Sequence, residues 1–116
     1  MRIAFTIPSV TPSLNVWQRA HHRNRTKART MFGWECKAML PPSWTYPADG
    51  RVRVAIVRCA RRRMDTDNLY GGVKPLLDGL KDAGAIVDDD TRWIDLVVTQ
   101  EVIQGLPETR IVLEWL

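Results

Sequence analysis

RRRMDTDNLYGGVKPLLDGLKDAGAIVDDD spans Arg61 to Asp90. Within it Leu69, Val73, Leu76, Leu77 and Leu80 recur at i, i+4, i+7, i+8 and i+11, one apolar stripe of a helix. Gly84 is placed to cap its C-terminus. Pro75 lies inside the pattern, so the helix is expected to kink or restart there, with Gly71-Gly72 absorbing the distortion. Just upstream, Arg51 to Cys59 alternates, with Val52, Val54 and Ile56 on one face and Arg51 and Arg53 on the other, a strand with one wet face. Downstream, Trp93 to Val102 has strand character. The stretch is therefore the helical arm of a strand–helix–strand unit.

Working outward, Arg2 to Ile7 reads as a first strand ended by Pro8. Ser9 to Arg25 shows no helical period and is expected to be a loop. Lys27 to Leu40 sets Met31, Trp34, Cys36, Ala38 and Met39 roughly on one side, predicting a helix stopped by Pro41-Pro42. Tyr46 to Gly50 is a turn-rich connection, and Arg110 to Leu116 a last strand, joined to the one before it as a hairpin through Gly105 and Pro107. The order β-α-β-α-β-β predicts an α+β fold: one small domain over residues 1–116, a mixed sheet with two main helices packed against it.

A chain of 116 residues has room for one core. Its apolar runs are far short of the ~18 residues of a membrane span, and Arg2 to Pro8 is too short for a signal peptide. Cys36 and Cys59 form neither a disulfide framework nor a metal-ligand spacing, which points to reduced thiols in a cytoplasm. The net charge of +4 conceals a division. Residues 1–63 carry thirteen Lys and Arg against Glu35 and Asp49, a net of +11. Residues 64–116 carry Lys74, Lys81, Arg92 and Arg110 against eleven acids, a net of −7. The basic half suggests a polyanionic partner; the acidic half would repel one unless metal ions sit among its carboxylates.

Asp65 and Asp67 follow directly on a strand. If the extended conformation persists, their side chains point the same way, about 7 Å apart between α-carbons, and can share a hard divalent cation. The plainer alternative is that Asp67 or Asn68 N-caps the helix. Asp88, Asp89 and Asp90 follow the helix, where the chain returns toward the sheet. An EF-hand is excluded, because Leu69, Tyr70 and Leu76 stand where a ligand, a glycine and a glutamate are required. Lys74 lies two helical turns beyond Asp67, nearly on its face, where an ammonium can meet a phosphate. A solvated Lys74–Asp78 pair at i,i+4 accounts for the same spacing.

Taken as an ordered set, these residues resemble the RusA family of Holliday junction resolvases. The likeness rests on the arginine run, Asp65-x-Asp67-Asn68-Leu69, Lys74 with Asp78 four later, Leu80, Ala83-Gly84 and Asp88-Asp89. It extends to the N-terminal strand, Pro12-Ser13-Leu14-Asn15 and the basic segment after it. The resemblance implies a RusA-like fold and a homodimeric, Mg²⁺-dependent endonuclease that resolves four-way DNA junctions by paired symmetric nicks in recombination and repair. It also implies a cytoplasmic, nucleoid-associated protein, bacterial or phage-encoded. The family's metal-binding and catalytic aspartates fall on Asp65, Asp67 and Asp89, with Asp88 one residue of register away, and its catalytic lysine on Lys74. One or two Mg²⁺ ions per site are implied, with Mn²⁺ as a substitute. About three extra residues, Gly71-Gly72 among them, separate Asn68-Leu69 from the lysine, and at 3.6 residues per turn separations of four and seven both keep it on the face of Asp67.

RAHHRNRTKAR, Arg19 to Arg29, holds five basic residues and no acid, and suits phosphate binding. The expected DNA contacts are Arg19, Arg23, Arg25, Lys27 and Arg29, with Arg61, Arg62 and Arg63. His21 and His22 have no third ligand nearby and read as polar neighbours of DNA. Trp17 is placed either to stack on an exposed junction base or to anchor the core. Trp34, Trp93 and Trp115 are expected in the core or a dimer interface, and Trp44 is undetermined. Two other functions fit the residues: a metal-dependent nuclease for flaps or forks, and a junction-binding protein without activity.

Overall fold

Alternation writes the sheet. The computed structural model describes all residues, Met1 to Leu116. Its strands are β1 (Arg2–Ile7), β2 (Val52–Ala60), β3 (Ile94–Val102) and β4 (Glu108–Trp115), in the spatial order β1-β4-β2-β3. Between β1 and β2 run helices α1 (Leu14–Arg19) and α2 (His22–Met39); between β2 and β3 run α3 (Thr66–Gly71) and α4 (Lys74–Asp82). One face of the sheet carries the row Phe5, Ile111, Ile56 and Val98, and beside it Ile3, Leu113, Val54 and Leu96. Helices α2 and α4 cover this face, burying Phe32 and Cys36 from one and Leu76, Leu77 and Leu80 from the other. The opposite face carries Arg53, which pairs in water with both Asp95 and Glu114. The chain is thus a single α+β domain with a four-stranded mixed sheet, and its radius of gyration, 13.5 Å, is that of one domain of this length.

The helical stripe is buried as expected: Leu69, Val73, Leu76, Leu77 and Leu80 all lie in the core. The helix restarts rather than kinks. α3 ends at Gly71, and α4 begins at Lys74 with Pro75 in its first turn, where the missing N–H has no partner to lose. Gly84, at φ +81°, turns the chain out of α4, as its position suggested. Gly79 lets α2 and α4 cross closely, since a Cβ there would lie 2.7 Å from the Gly33 nitrogen.

Three expectations are corrected. Ser9 to Arg25 is a loop only as far as Ser13; beyond it lie α1 and the start of α2. Ser13 caps α1 by accepting the Val16 N–H, and His21 caps α2 through its ring, Nδ1 accepting the Arg23 N–H at 3.2 Å. Neither segment shows an apolar period because α1 buries no residue and the first turns of α2 stay in water. The face of α2 is also different: Phe32, Gly33 and Cys36 are inward, while Met31, Met39 and Trp34 are exposed, Trp34 to 75%. Finally, β3 and β4 form no hairpin. β3 pairs in parallel with β2, and β4 inserts antiparallel between β1 and β2, so the Gly105–Pro107 connection crosses the end of β2. β2 buried on both edges is the better solution, since every one of its residues is then laddered. Among the remaining tryptophans, Trp44 is buried and donates to the Ala85 carbonyl, and Trp93 and Trp115 pack partly buried on the core.

Candidate functional site

At the C-terminal end of β2 the inward-facing row changes character. Beside Ile7 of β1 it carries Thr109, Arg58 and Gln100, in register on β4, β2 and β3. Each holds a loop. The Thr109 hydroxyl donates to the Ser9 carbonyl at 2.7 Å. The Arg58 guanidinium donates to the Thr11 carbonyl at 2.9 Å and to that of Arg62 at 3.4 Å. The Gln100 amide clamps Met64 twice, donating to its carbonyl at 2.7 Å and accepting its N–H at 3.0 Å. Burial holds Arg58 below the ordinary arginine pKa, though no carboxylate is paired with it. This polar row is the platform on which residues 9–13 and 61–65 are laid side by side.

From this platform the chain enters α3. Asp65 is its N-cap, in extended backbone, with Oδ1 accepting the Asn68 N–H at 2.9 Å. That bond, and a second from the Asn68 side chain, hold the Asp65 carboxyl below its usual range. The cap is therefore Asp65, not Asp67 or Asn68. Asp67 lies in the first helical turn, so the extended geometry does not continue through it. Asn68 Oδ1 in turn accepts the Asn15 N–H at 3.0 Å, docking α1 onto α3. The same contact explains the two glycines. A Cβ at Gly72 would lie 1.7 Å from the Pro12 carbonyl oxygen, and one at Gly71 2.6 Å from Leu14. They serve close approach of the α1 segment and not only the break in the helix.

Lys74 opens α4 and sits between two carboxylates, 2.6 Å from Asp89 and 3.1 Å from Asp78. The Asp89 bond, then that to Asp78, raises its pKa. The i,i+4 pair is real, and Asp89 is added to it. Asp88 is engaged elsewhere, by Lys81 at 3.4 Å and by the Asp89 N–H, and Asp90 pairs with Arg92; both carboxyls are held low by these N–H partners. Of the three consecutive acids, Asp89 is the one that shares a cluster with the lysine.

Ion pairing resolves the acidic half. Nine of its eleven carboxylates have a Lys or Arg within 4.0 Å; Asp65 and Asp67 have none. Both are exposed. No three His, Cys, Asp or Glu side chains converge to hold a metal ion: Asp65 and Asp67 sit at the start of α3, and Asp89 is bound to Lys74. The donor chemistry of the first two suits Mg²⁺, which uses one or two carboxylates and completes its shell with water and phosphate oxygens. Asp89 spends one of its two carboxylate oxygens, Oδ2, on Lys74.

The expected DNA contacts divide. Arg19, Arg23, Lys27, Arg61, Arg62 and Arg63 are exposed and make no ion pair. Arg29 is committed to Asp82 by two bonds of 2.7 Å, which raise its pKa and lower that of Asp82. Arg25 is committed too, donating to the carbonyls of Trp17 and Gln18 at the end of α1 and covering the Trp17 ring. The six free cations lie on α1, the first turns of α2 and the loop before Asp65, all joined through Thr11–Arg58–Arg62 and Asn15–Asn68. Sequence reasoning missed the positioning residues Arg58, Gln100 and Thr109, and saw Asn68 only as a cap and a motif residue. The one available signal was polar residues at inward positions of otherwise apolar strands. Compared with known proteins, the chain matches no family model, and no curated protein matches it.

Proposed function

We propose that the protein is a Mg²⁺-dependent, structure-specific endonuclease that resolves four-way DNA junctions by paired nicks, acting as a homodimer. The observation that carries the reading is the charge pattern: Asp65 and Asp67 are the only carboxylates of the acidic half left without a cation, and unpaired cations flank them on both sides. Intramolecular pairing neutralises like charge elsewhere, so charge left open at one place answers to an external partner. Arg61, Arg62 and Arg63 would hold phosphates on one flank, and Arg19, Arg23 and Lys27 on the other. Asp65 and Asp67 would hold Mg²⁺, whose chemistry is to acidify water and stabilise charge on phosphate oxygens. Lys74, which opens α4, is the lysine this reading assigns to stabilising charge on the phosphodiester, although Asp89 and Asp78 hold its ammonium at 2.6 and 3.1 Å. A two-fold dimer presents two such sites to a nearly two-fold junction.

One observation favours a second reading, a junction-binding protein that does not cut: Asp89 is tied to Lys74 rather than gathered with Asp65 and Asp67. An immobile synthetic four-way junction, incubated with Mg²⁺ or with chelator beside Asp67→Asn, decides between them. Paired symmetric nicks that need both Mg²⁺ and Asp67 support the endonuclease. Tight junction binding without cleavage supports the binding protein, and preferential cutting of flaps or forks would replace both with a nuclease of other branched DNA.

A further inference from the structure

A groove of about 480 Å³ opens between α1 and the start of α2, within the size range of small-ligand sites. Pro12, Val16, Trp17 and Ala20 form its wall, with Arg19 and Asn24 at the rim. Val16 is 63% exposed, an apolar side chain held in water on a helix that buries nothing. Trp17 is fixed in place: Arg25 donates to its carbonyl at 3.2 Å and to that of Gln18 at 2.6 Å, and the guanidinium carbon lies 5.5 Å from the ring centroid. The aromatic surface is thus set before any ligand arrives.

We infer that this groove is a subsite for one unstacked nucleobase of branched DNA, an inference that rests on the proposed function. The surrounding charge selects the occupant. Arg19 lines the groove, Arg23 and Lys27 stand exposed and unpaired on the first turns of α2 next to its lining residues Asn24 and Ala28, and no acid occurs before Glu35. An apolar wall with Arg19 and the neutral Asn24 at its rim, on an acid-free basic surface, is complementary to a base with phosphates beside it. Arg25, being committed to backbone carbonyls, stiffens the platform and leaves the phosphates to the other three. Position supports the same occupant. Asn15 is bonded to Asn68 and Leu14 lies against Gly71, so the groove is fixed relative to Asp65 and Asp67. Continuous duplex keeps its bases stacked and offers nothing to the groove, whereas a branch point does, so the site contributes selectivity for shape.

The test uses the full chain, chelator, and a four-way junction carrying 2-aminopurine at the branch, beside a continuous duplex of equal length. Saturating protein is expected to change 2-aminopurine fluorescence at the branch but not in the duplex. Trp17→Ala should weaken junction binding by about 5- to 150-fold, the range for one lost base–aromatic stack, with duplex binding unmoved and Trp17→Phe largely restoring it. An unchanged 2-aminopurine signal in the saturated wild-type complex overturns the subsite, without recourse to any variant that might misfold. So does equal weakening on junction and duplex. Self-association that Trp17→Ala abolishes would assign the groove to a second copy, and also overturns it. Wild-type protein that prefers junctions no more than duplex, and cuts neither with Mg²⁺, sinks the endonuclease reading itself, a result independent of Trp17.

Discussion

Replacing Gln100 by alanine tests whether the polar row of the sheet positions the site. The Gln100 amide makes two bonds to Met64, at 2.7 and 3.0 Å, and Met64 immediately precedes the N-cap Asp65. Each bond contributes about 0.5–1.5 kcal/mol net, and Met64 is only half-buried, so water recovers part of what is lost. The expected destabilisation is about 1–2 kcal/mol, or a fall in Tm of about 4–8 °C for a domain of this size. Thermal unfolding followed by circular dichroism measures it. The sharper readout is amide hydrogen exchange at Met64, whose protection should fall while that of Val54 and Ile56 in β2 tracks global stability. If the endonuclease reading holds, kcat should fall roughly ten- to a hundredfold through misplacement of Asp65, with junction affinity little altered. Undiminished protection at Met64, with Tm unchanged, would refute the argument that this row holds the segment.

Asp65→Asn and Asp67→Asn should each abolish Mg²⁺-dependent cleavage without lowering Tm, because asparagine caps a helix as well as aspartate and Asp67 has no protein partner to lose; calorimetric Mg²⁺ titration of the free protein should weaken in parallel. The triple change of Arg61, Arg62 and Arg63 to glutamine should lower the slope of log K against log salt by up to about 2.7, roughly 0.9 for each phosphate contact removed. Arg29→Gln, by contrast, should leave that slope alone and cost less than about 1 kcal/mol, since its exposed pair with Asp82 is screened by solvent. Lys74 has its pKa raised in the folded state, so its pairing stabilises fully below the unfolded value of about 10.4 and is lost as pH rises through the folded one. The Tm gap between wild type and Lys74→Met should therefore be constant from about pH 7 to 9, begin to narrow only above about pH 10.4 and close as pH passes the raised folded pKa; a gap that persists beyond that would rule out the ion pair as its source.

The strand–helix–strand unit was legible because its pattern is local. Alternation in Val52, Val54 and Ile56 and the stripe from Leu69 to Leu80 need only the chain's own periodicity, and both faces are buried where that periodicity puts them. α1 was illegible for the same reason: a helix that buries nothing has no stripe. The inward face of α2 was misjudged because its apolar residues, Trp34 and Met31 included, outnumber the few that α4 can cover.

By itself the sequence determined the elements of one α+β domain, the separation of basic and acidic halves, and the residue types that could meet a metal and phosphates. Tertiary structure alone decided three things. It placed β4 between β1 and β2, because strand order is a contest among partners far apart in the chain. It sorted charges into those spent and those left open, committing Arg29 to Asp82 and Lys74 to Asp89 while leaving Asp65 and Asp67 without a cation. And it set Arg58, Gln100 and Thr109 in one row beneath the loops. Electrostatic pairing and hydrogen bonding act over a few ångströms, between residues up to a hundred positions apart, as Ser9 and Thr109 are; no periodicity along the chain encodes that distance.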